Sequence, residues 1–279
     1  MRTRTVMQLI DLLHLGQPRV IGSWRVGEVL VDPGPSSCLP VLLDALGGQP
    51  PRAVALTHIH LDHAGATGSL LARFPHIEVW VHERGAPHLL DPTRLIMSAT
   101  RLYGDDMQRL WGEVLPVPAE RLRVLHGGGR LDGFQVAYTP GHASHHVCYL
   151  HEESGHVFCG DTAGVRIADE GPVLAPTPPP DIDLELWRGS LGLIARWRPR
   201  ALLSTHFGAY HDVERHLAEL SDCLRRFERN AELGEQRFLA ALEADLDGRV
   251  SAEIGRCYRQ AMPPEQCFLG LRRYLSRRG

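Results

Sequence analysis

No lysine occurs anywhere in the 279 residues; all 30 basic residues are arginine. That absence excludes Schiff-base and lysine-nucleophile chemistry. The six cysteines (Cys38, Cys148, Cys159, Cys223, Cys257 and Cys267) form no C-x-x-C pair, which excludes a zinc ribbon and a thioredoxin-like dithiol. No run of 18 apolar residues exists, so no helix is expected to span a membrane. Asp11 and His14 interrupt Leu9–Leu15, where the apolar core of a signal peptide would sit. The expectation is a soluble cytoplasmic protein with reduced thiols. A net charge of −3 lacks the basic footprint of a nucleic-acid binder. No G-x-S-x-G elbow is present, and Gly127-Gly128-Gly129 lacks the strand–helix setting of a phosphate loop.

What is present is ordinary globular composition, 43% hydrophobic and 23% charged, in a length that suits one large domain or a domain with an extension. Short β-like runs fill the first half: Val26–Val31, Ala53–Thr57, Glu78–Val81, Arg121–Leu125, Phe134–Tyr138, Val147–Leu150 and His156–Cys159. Helical patterns fall between them at Ala64–Phe74, Thr93–Trp111 and Leu184–Trp197. Strand pairs with helices outside them point to a layered α/β sandwich. The proline-rich segment Gly171–Asp181 reads as an extended connector. After His211, Val213, Leu217, Leu220, Leu224 and Phe227 recur at helical spacing, with Asp212 placed to cap the helix. The expected organisation is a core over 1–210, with a helical insertion at about 93–117, and a helical extension over 211–279.

The 16 histidines are not scattered evenly. Thr57-His58-Ile59-His60-Leu61-Asp62-His63-Ala64-Gly65 contains H-x-H-x-D-H directly after an apolar, β-branched run. In an extended loop alternate residues face one way, so His58, His60 and Asp62 can converge, while His63 breaks that parity. One segment can then supply two nitrogens to one ion, and an oxygen and a nitrogen to a second. Such ligands suit Zn, Mn or Fe. Three more apolar runs end in ligand-type residues: Thr139-Pro140-Gly141-His142, Cys159-Gly160-Asp161-Thr162 and Ser204-Thr205-His206.

On these residues the chain resembles the metallo-β-lactamase-fold superfamily of hydrolases over roughly residues 10–210. The resemblance implies a four-layer αββα sandwich with a two-metal site, most readily Zn, at one edge of the paired sheets. It implies that His58, His60 and His142 hold one ion, that Asp62, His63 and His206 hold the other, and that Asp161 bridges them. Asp32, in Leu30-Val31-Asp32-Pro33-Gly34, matches the family's early Asp-x-Gly turn and would support the site from behind. Asp62 is the candidate proton relay. Arg101 and Tyr103 on the insertion, and His145 beside His142, are candidate substrate contacts.

The activity expected from this resemblance is hydrolysis of a small ester-like substrate, a thioester or lactone, by a hydroxide shared between two metals. Hydroxyacylglutathione hydrolases and acyl-homoserine lactonases share this ligand set, and the former usually use basic residues including lysine to recognise glutathione. The alternatives are a small phosphodiester hydrolase and a mononuclear-iron persulfide dioxygenase. The expected partner is a small molecule, with no nucleic acid and no membrane, and a homodimer is left open.

Overall fold

The computed structural model describes residues 6–278. The chain divides into two compact units, Met1–Gly128 and Gly129–Gly279.

The first unit is built on one six-stranded sheet in simple sequential order, β1 (Met7–Asp11), β2 (Gly22–Val26), β3 (Val29–Val31), β4 (Ala53–Ala55), β5 (Glu78–His82) and β6 (Leu122–Leu125). The first two pairings are antiparallel, and β3 through β6 run parallel. The run Val26–Val31 is therefore a hairpin and not one strand, because Gly27 adopts a left-handed turn (φ +58°). Crossover connections join the parallel strands. They carry α1 (Leu39–Leu46), α2 (Leu61–Ala64), α3 (Thr67–Arg73), α4 (Ala86–Leu90), α5 (Thr93–Tyr103) and α6 (Met107–Trp111). The helical pattern Thr93–Trp111 thus breaks in the middle, at a 3-10 turn over Gly104–Asp106. A parallel sheet is covered on both faces, and the central strands are apolar throughout: Ala53, Val54 and Ala55 are all fully buried.

The second unit contains a sheet of order β12-β11-β10-β9-β8-β7. Its strands are β7 (Gly129–Leu131), β8 (Phe134–Tyr138), β9 (Val147–His151), β10 (His156–Phe158), β11 (Ala201–Ser204) and β12 (Gly208–Tyr210). Only the β10–β11 pairing is parallel. Strands β8 and β10 both run antiparallel to β9, so β8, β10 and β11 point the same way. Their C-terminal ends share one edge of the sheet.

Helix α7 (Leu184–Trp197) matches its sequence pattern residue for residue. Then come α8 (Val213–Glu232), α9 (Glu235–Leu246), α10 (Ala252–Ala261) and α11 (Pro264–Ser276). Leu217, Leu220, Leu224 and Phe227 of the α8 stripe are buried, worth roughly 1.5–3 kcal/mol each. The proline-rich connector is held down by the last helices: Tyr258 donates to the Pro172 carbonyl at 2.6 Å, and Thr177 Oγ1 to that of Cys267 at 3.0 Å. Among the described residues no helix is long and apolar enough to cross a membrane.

Asp212 occupies the N-cap position of α8, but its carboxylate caps nothing. Buried Arg166 takes it instead, with contacts of 2.8 and 3.0 Å, and a buried guanidinium demands such a partner. Arg166 also lies over the Tyr210 ring at 4.4 Å and touches His216 Nδ1 at 3.4 Å. Arg166 holds the Asp212 carboxyl below its ordinary range. Burial pushes His216 down from 6.5 to about 4, against the opposing hydrogen bond to the Ala163 carbonyl.

That shift carries a stability consequence. Between pH 6.5 and 4 the unfolded chain binds a proton at His216 that the folded chain refuses. The stability due to neutral His216 is therefore complete above 6.5 and is lost as the pH falls toward 4, by up to about 3 kcal/mol. Urea unfolding between pH 7.5 and 5 is expected to show this loss in the wild type and a flatter profile in His216→Gln. Identical slopes in both proteins would remove His216 from the account.

Candidate metal centre

The first set of ligand-type residues lies at the C-terminal end of β4. Parallel pairing places the end of β3 beside it, so Asp32 meets Thr57 from the neighbouring strand. Asp32 has φ +51°, a left-handed conformation that Asp tolerates, and it is fully buried. Its Oδ1 accepts from the Thr57 backbone N–H at 2.8 Å, and its Oδ2 from Thr57 Oγ1 at 2.7 Å and His63 Nδ1 at 2.8 Å. The Thr57 hydroxyl has spent its only proton on Asp32, so at 3.1 Å it accepts from His58 Nδ1. One carboxylate thereby sets both rings with the proton on Nδ1 and the lone pair on Nε2, the form a metal needs.

Within this set the ligand atoms of His58 and His60, of His58 and His63, and of Asp62 and His63 lie within 4.8 Å of one another. His58 and His63 are buried; His60 and Asp62 are half-buried. The alternating, extended geometry expected from the sequence holds only as far as His60. Helix α2 already begins at Leu61, with His63 N and Ala64 N both donating to the His60 carbonyl. A helical turn, not strand alternation, presents Asp62 and His63. Gly34 ties this turn down: its N–H donates to the His63 carbonyl at 2.9 Å, and its carbonyl accepts from Ala66 N at 2.8 Å.

The helical insertion packs against the same turn. Ser36 Oγ donates to the Gly65 carbonyl at 2.9 Å, and neighbouring Ser37 Oγ donates to that of Leu110 at 2.6 Å. A Cβ on Gly68 would stand 2.1 Å from the Leu115 carbonyl oxygen. The insertion is thus seated beside the histidine motif. Tyr103 sets its ring edge-on to Trp111 at 5.0 Å, and Arg101 is exposed on α5.

The second set lies in the second unit, where His142 follows β8, Asp161 follows β10 and His206 follows β11. All three are buried. Asp161 stands between the two histidines, with Oδ2 3.3 Å from His142 Nε2 and Oδ1 3.6 Å from His206 Nε2. His142 Nδ1 lies 2.9 Å from the Pro176 carbonyl, which can only accept, so His142 also keeps its lone pair on Nε2. His206 is held through its main chain, its carbonyl accepting from Arg166 N at 2.7 Å. His145 is buried in the turn after His142. Its neighbour His146 places Nδ1 3.0 Å from both Thr139 Oγ1 and Thr162 Oγ1, behind the ligand residues.

The supporting residues Thr57, Thr162, Arg166 and Trp187 escape sequence reading, because their partners lie far along the chain. Only Asp32 carried a motif that could have found it.

Comparison with known proteins follows the same residues. A sequence profile of the metallo-β-lactamase superfamily matches residues 27–206. A hydroxyacylglutathione hydrolase of an Enterobacter species is 34% identical over 134 residues, 48% of this chain. The chain spans only about two fifths of that relative's length (41%). A metallo-β-lactamase-fold protein of Sulfurisphaera tokodaii is 28% identical over 176 residues, 60% of this chain and 65% of the relative. Among solved structures, an archaeal superfamily protein from Sulfolobus tokodaii aligns over 97% of this chain and 99% of its own, with a TM-score of 0.72 at 22% identity. A Thermus thermophilus family protein aligns over 98% and 94%, with a TM-score of 0.66 at 22% identity. These likenesses show the αββα metallo-β-lactamase fold, followed by a helical C-terminal region.

Proposed function

The chain belongs to the metallo-β-lactamase superfamily, and from that premise we propose that it is a binuclear metal-dependent hydrolase of a small ester-like substrate, a thioester or lactone. The observation that carries this reading is the Asp161 carboxylate, which turns one oxygen toward His142 and the other toward His206. In the proposed assignment those histidines serve different ions. His58, His60 and His142 would hold the first, Asp62, His63 and His206 the second, with Asp161 between them. The donor set fits divalent Zn, Mn or Fe: imidazoles, of which His58, His63 and His142 are fixed with lone pairs on Nε2, and carboxylates among buried neighbours.

Metal held there would supply a water of lowered pKa and polarisation of a substrate carbonyl. The protein's own residues do the rest. Asp32 and the Pro176 carbonyl fix the ring tautomers, and Asp62, with a side chain 20% exposed, would pass a proton to the leaving group. The named hydroxyacylglutathione hydrolases favour a thioester, whereas the absence of lysine argues for an acyl carrier other than glutathione.

Metal analysis of protein purified without oxygen tests the reading, combined with a panel of thioesters, lactones, β-lactams and bis-nitrophenyl phosphate. Two metals per chain with thioester or lactone turnover is the expected result. One iron with oxygen uptake on a persulfide would replace hydrolysis by dioxygenation, and turnover confined to the phosphodiester would replace the substrate class.

Chelation provides a further check. Ligands drawn from four separated segments make metal binding a source of native-state stability, worth about 3 kcal/mol when metal stands a hundredfold above its Kd. Verified metal removal is expected to lower Tm by roughly 5–10 °C. An unchanged melting curve would show that the sandwich stands without metal.

A further inference from the structure

We propose that Trp187, aided by Ser190 one turn later, is a positioning residue that sets the spacing of His142 and Asp161. This inference rests on the metal reading above.

Sheet order separates the two ligand segments. His142 follows β8 and Asp161 follows β10, with β9 between them, so no strand ladder joins them directly. Helix α7 reaches both. Its N-terminus is fixed by Asp183, whose Oδ1 accepts from Glu185 N and Leu186 N at 3.0 Å each. Its rotation is fixed by Leu184, Trp187, Leu191 and Ile194, all buried at helical spacing.

From that fixed helix three hydrogen bonds run into the ligand segments. Asp183 N donates to the Gly141 carbonyl at 2.8 Å, and Ser190 Oγ to that of Pro140 at 2.7 Å. Trp187 Nε1 donates to the Thr162 carbonyl at 2.8 Å, one residue past Asp161. The Trp187 ring meets the His142 ring edge-on, with centroids 5.5 Å apart. The approach is so close that a Cβ on Gly141 would lie 2.3 Å from Trp187 Cα, and Gly141 sits at φ +139°. Thr162 is gripped from its other side as well, its hydroxyl lying 3.3 Å from the Thr139 carbonyl. The fully buried indole thus braces one ligand with its ring and holds the chain beside the other with its N–H. A phenyl ring could do only the first.

Residues behind metal ligands typically contribute about ten- to a hundredfold in metal affinity. The test titrates metal-free protein with Co(II) in competition with a chromophoric chelator. It also records the visible absorption of the Co(II) protein and the Tm of the metal-free form. Trp187→Phe is expected to weaken Co(II) binding at least about tenfold and to change the visible band. Ser190→Ala, a milder change, should shift both in the same direction by less. Trp80→Phe removes a buried indole of the first unit that bonds Glu78; it should lower Tm and leave affinity and spectrum unchanged.

Wild-type affinity and spectrum in both Trp187→Phe and Ser190→Ala would overturn the inference, as would equal losses in Trp187→Phe and Trp80→Phe. Should Trp187→Phe fail to fold, Ser190→Ala decides by the same criteria. A wild-type chain that binds no metal would overturn the functional reading and this inference together. A wild-type chain with two metals confines any failure to Trp187.

Discussion

Asp161→Ala is expected to reduce the metal content from the proposed two ions per chain to one or none and to lower kcat/KM by more than about a hundredfold. The rate figure is a lower bound, taken from the ten- to hundredfold typical of residues that only support a ligand. Asp161 is 3% exposed and stands between His142 and His206 with one oxygen toward each. Two divalent ions a few ångströms apart repel strongly in a site shielded from water, and a shared anion offsets that repulsion. Neutral donors cannot replace it, so Asp161→Asn should fail in the same direction while keeping the side chain's shape. Metal analysis and steady-state kinetics on the three proteins check this. Wild-type stoichiometry in Asp161→Ala would remove the bridge from the proposal.

The second large effect is expected at Asp32, which belongs to no proposed ligand set. Asn is the informative replacement, because it tolerates the φ of +51° found there and so isolates charge and proton logic from backbone strain. The Asp32 Oδ2 accepts two donors, Thr57 Oγ1–H and His63 Nδ1–H. An amide turns hydrogens of its own either on the Thr57 backbone N–H or on Thr57 Oγ1–H and His63 Nδ1–H. Both orientations lose the charged acceptor that orders His63 and, through Thr57, His58. Asp32→Asn should therefore weaken metal binding by about ten- to a hundredfold. It should also cost about 2 kcal/mol of stability in the metal-free protein, the scale of a hydrogen bond to a charged group. Chelator competition and urea unfolding measure the two effects separately. A loss of stability with unchanged metal affinity would leave Asp32 a role in the fold alone.

Much of this protein is legible in its amino-acid sequence. The period of apolar residues is a local property, so α7 over Leu184–Trp197 and β8 over Phe134–Tyr138 follow from sequence at their observed bounds. The α8 stripe follows in the same way. The ligand-type residues are legible because each stands where an apolar strand stops, and H-x-H-x-D-H packs four of them into six positions. Strands β7 (Gly129–Leu131) and β12 (Gly208–Tyr210) are not legible, since each opens on glycine and carries no β-branched residue, unlike the equally short β4 and β10. The break inside Thr93–Trp111 and the hairpin at Gly27 depend on left-handed glycines that a periodicity count overlooks.

Partner choice belongs to the tertiary structure. Asp212 reads as a helix cap, yet its carboxylate goes to Arg166, 46 residues earlier, because a buried guanidinium needs a counter-charge more than α8 needs a cap. Asp32 orders His58 and His63 only because parallel pairing sets β3 beside β4. Trp187 reaches Thr162 because β8, β10 and α7 meet at one edge of their sheet. Sequence by itself determined which residues could bind metal and which segments could form helices and strands, since both depend on side-chain chemistry and near neighbours. Tertiary structure decided the tautomers, the braces and the counter-ions, since each requires groups distant along the chain to lie within hydrogen-bond reach.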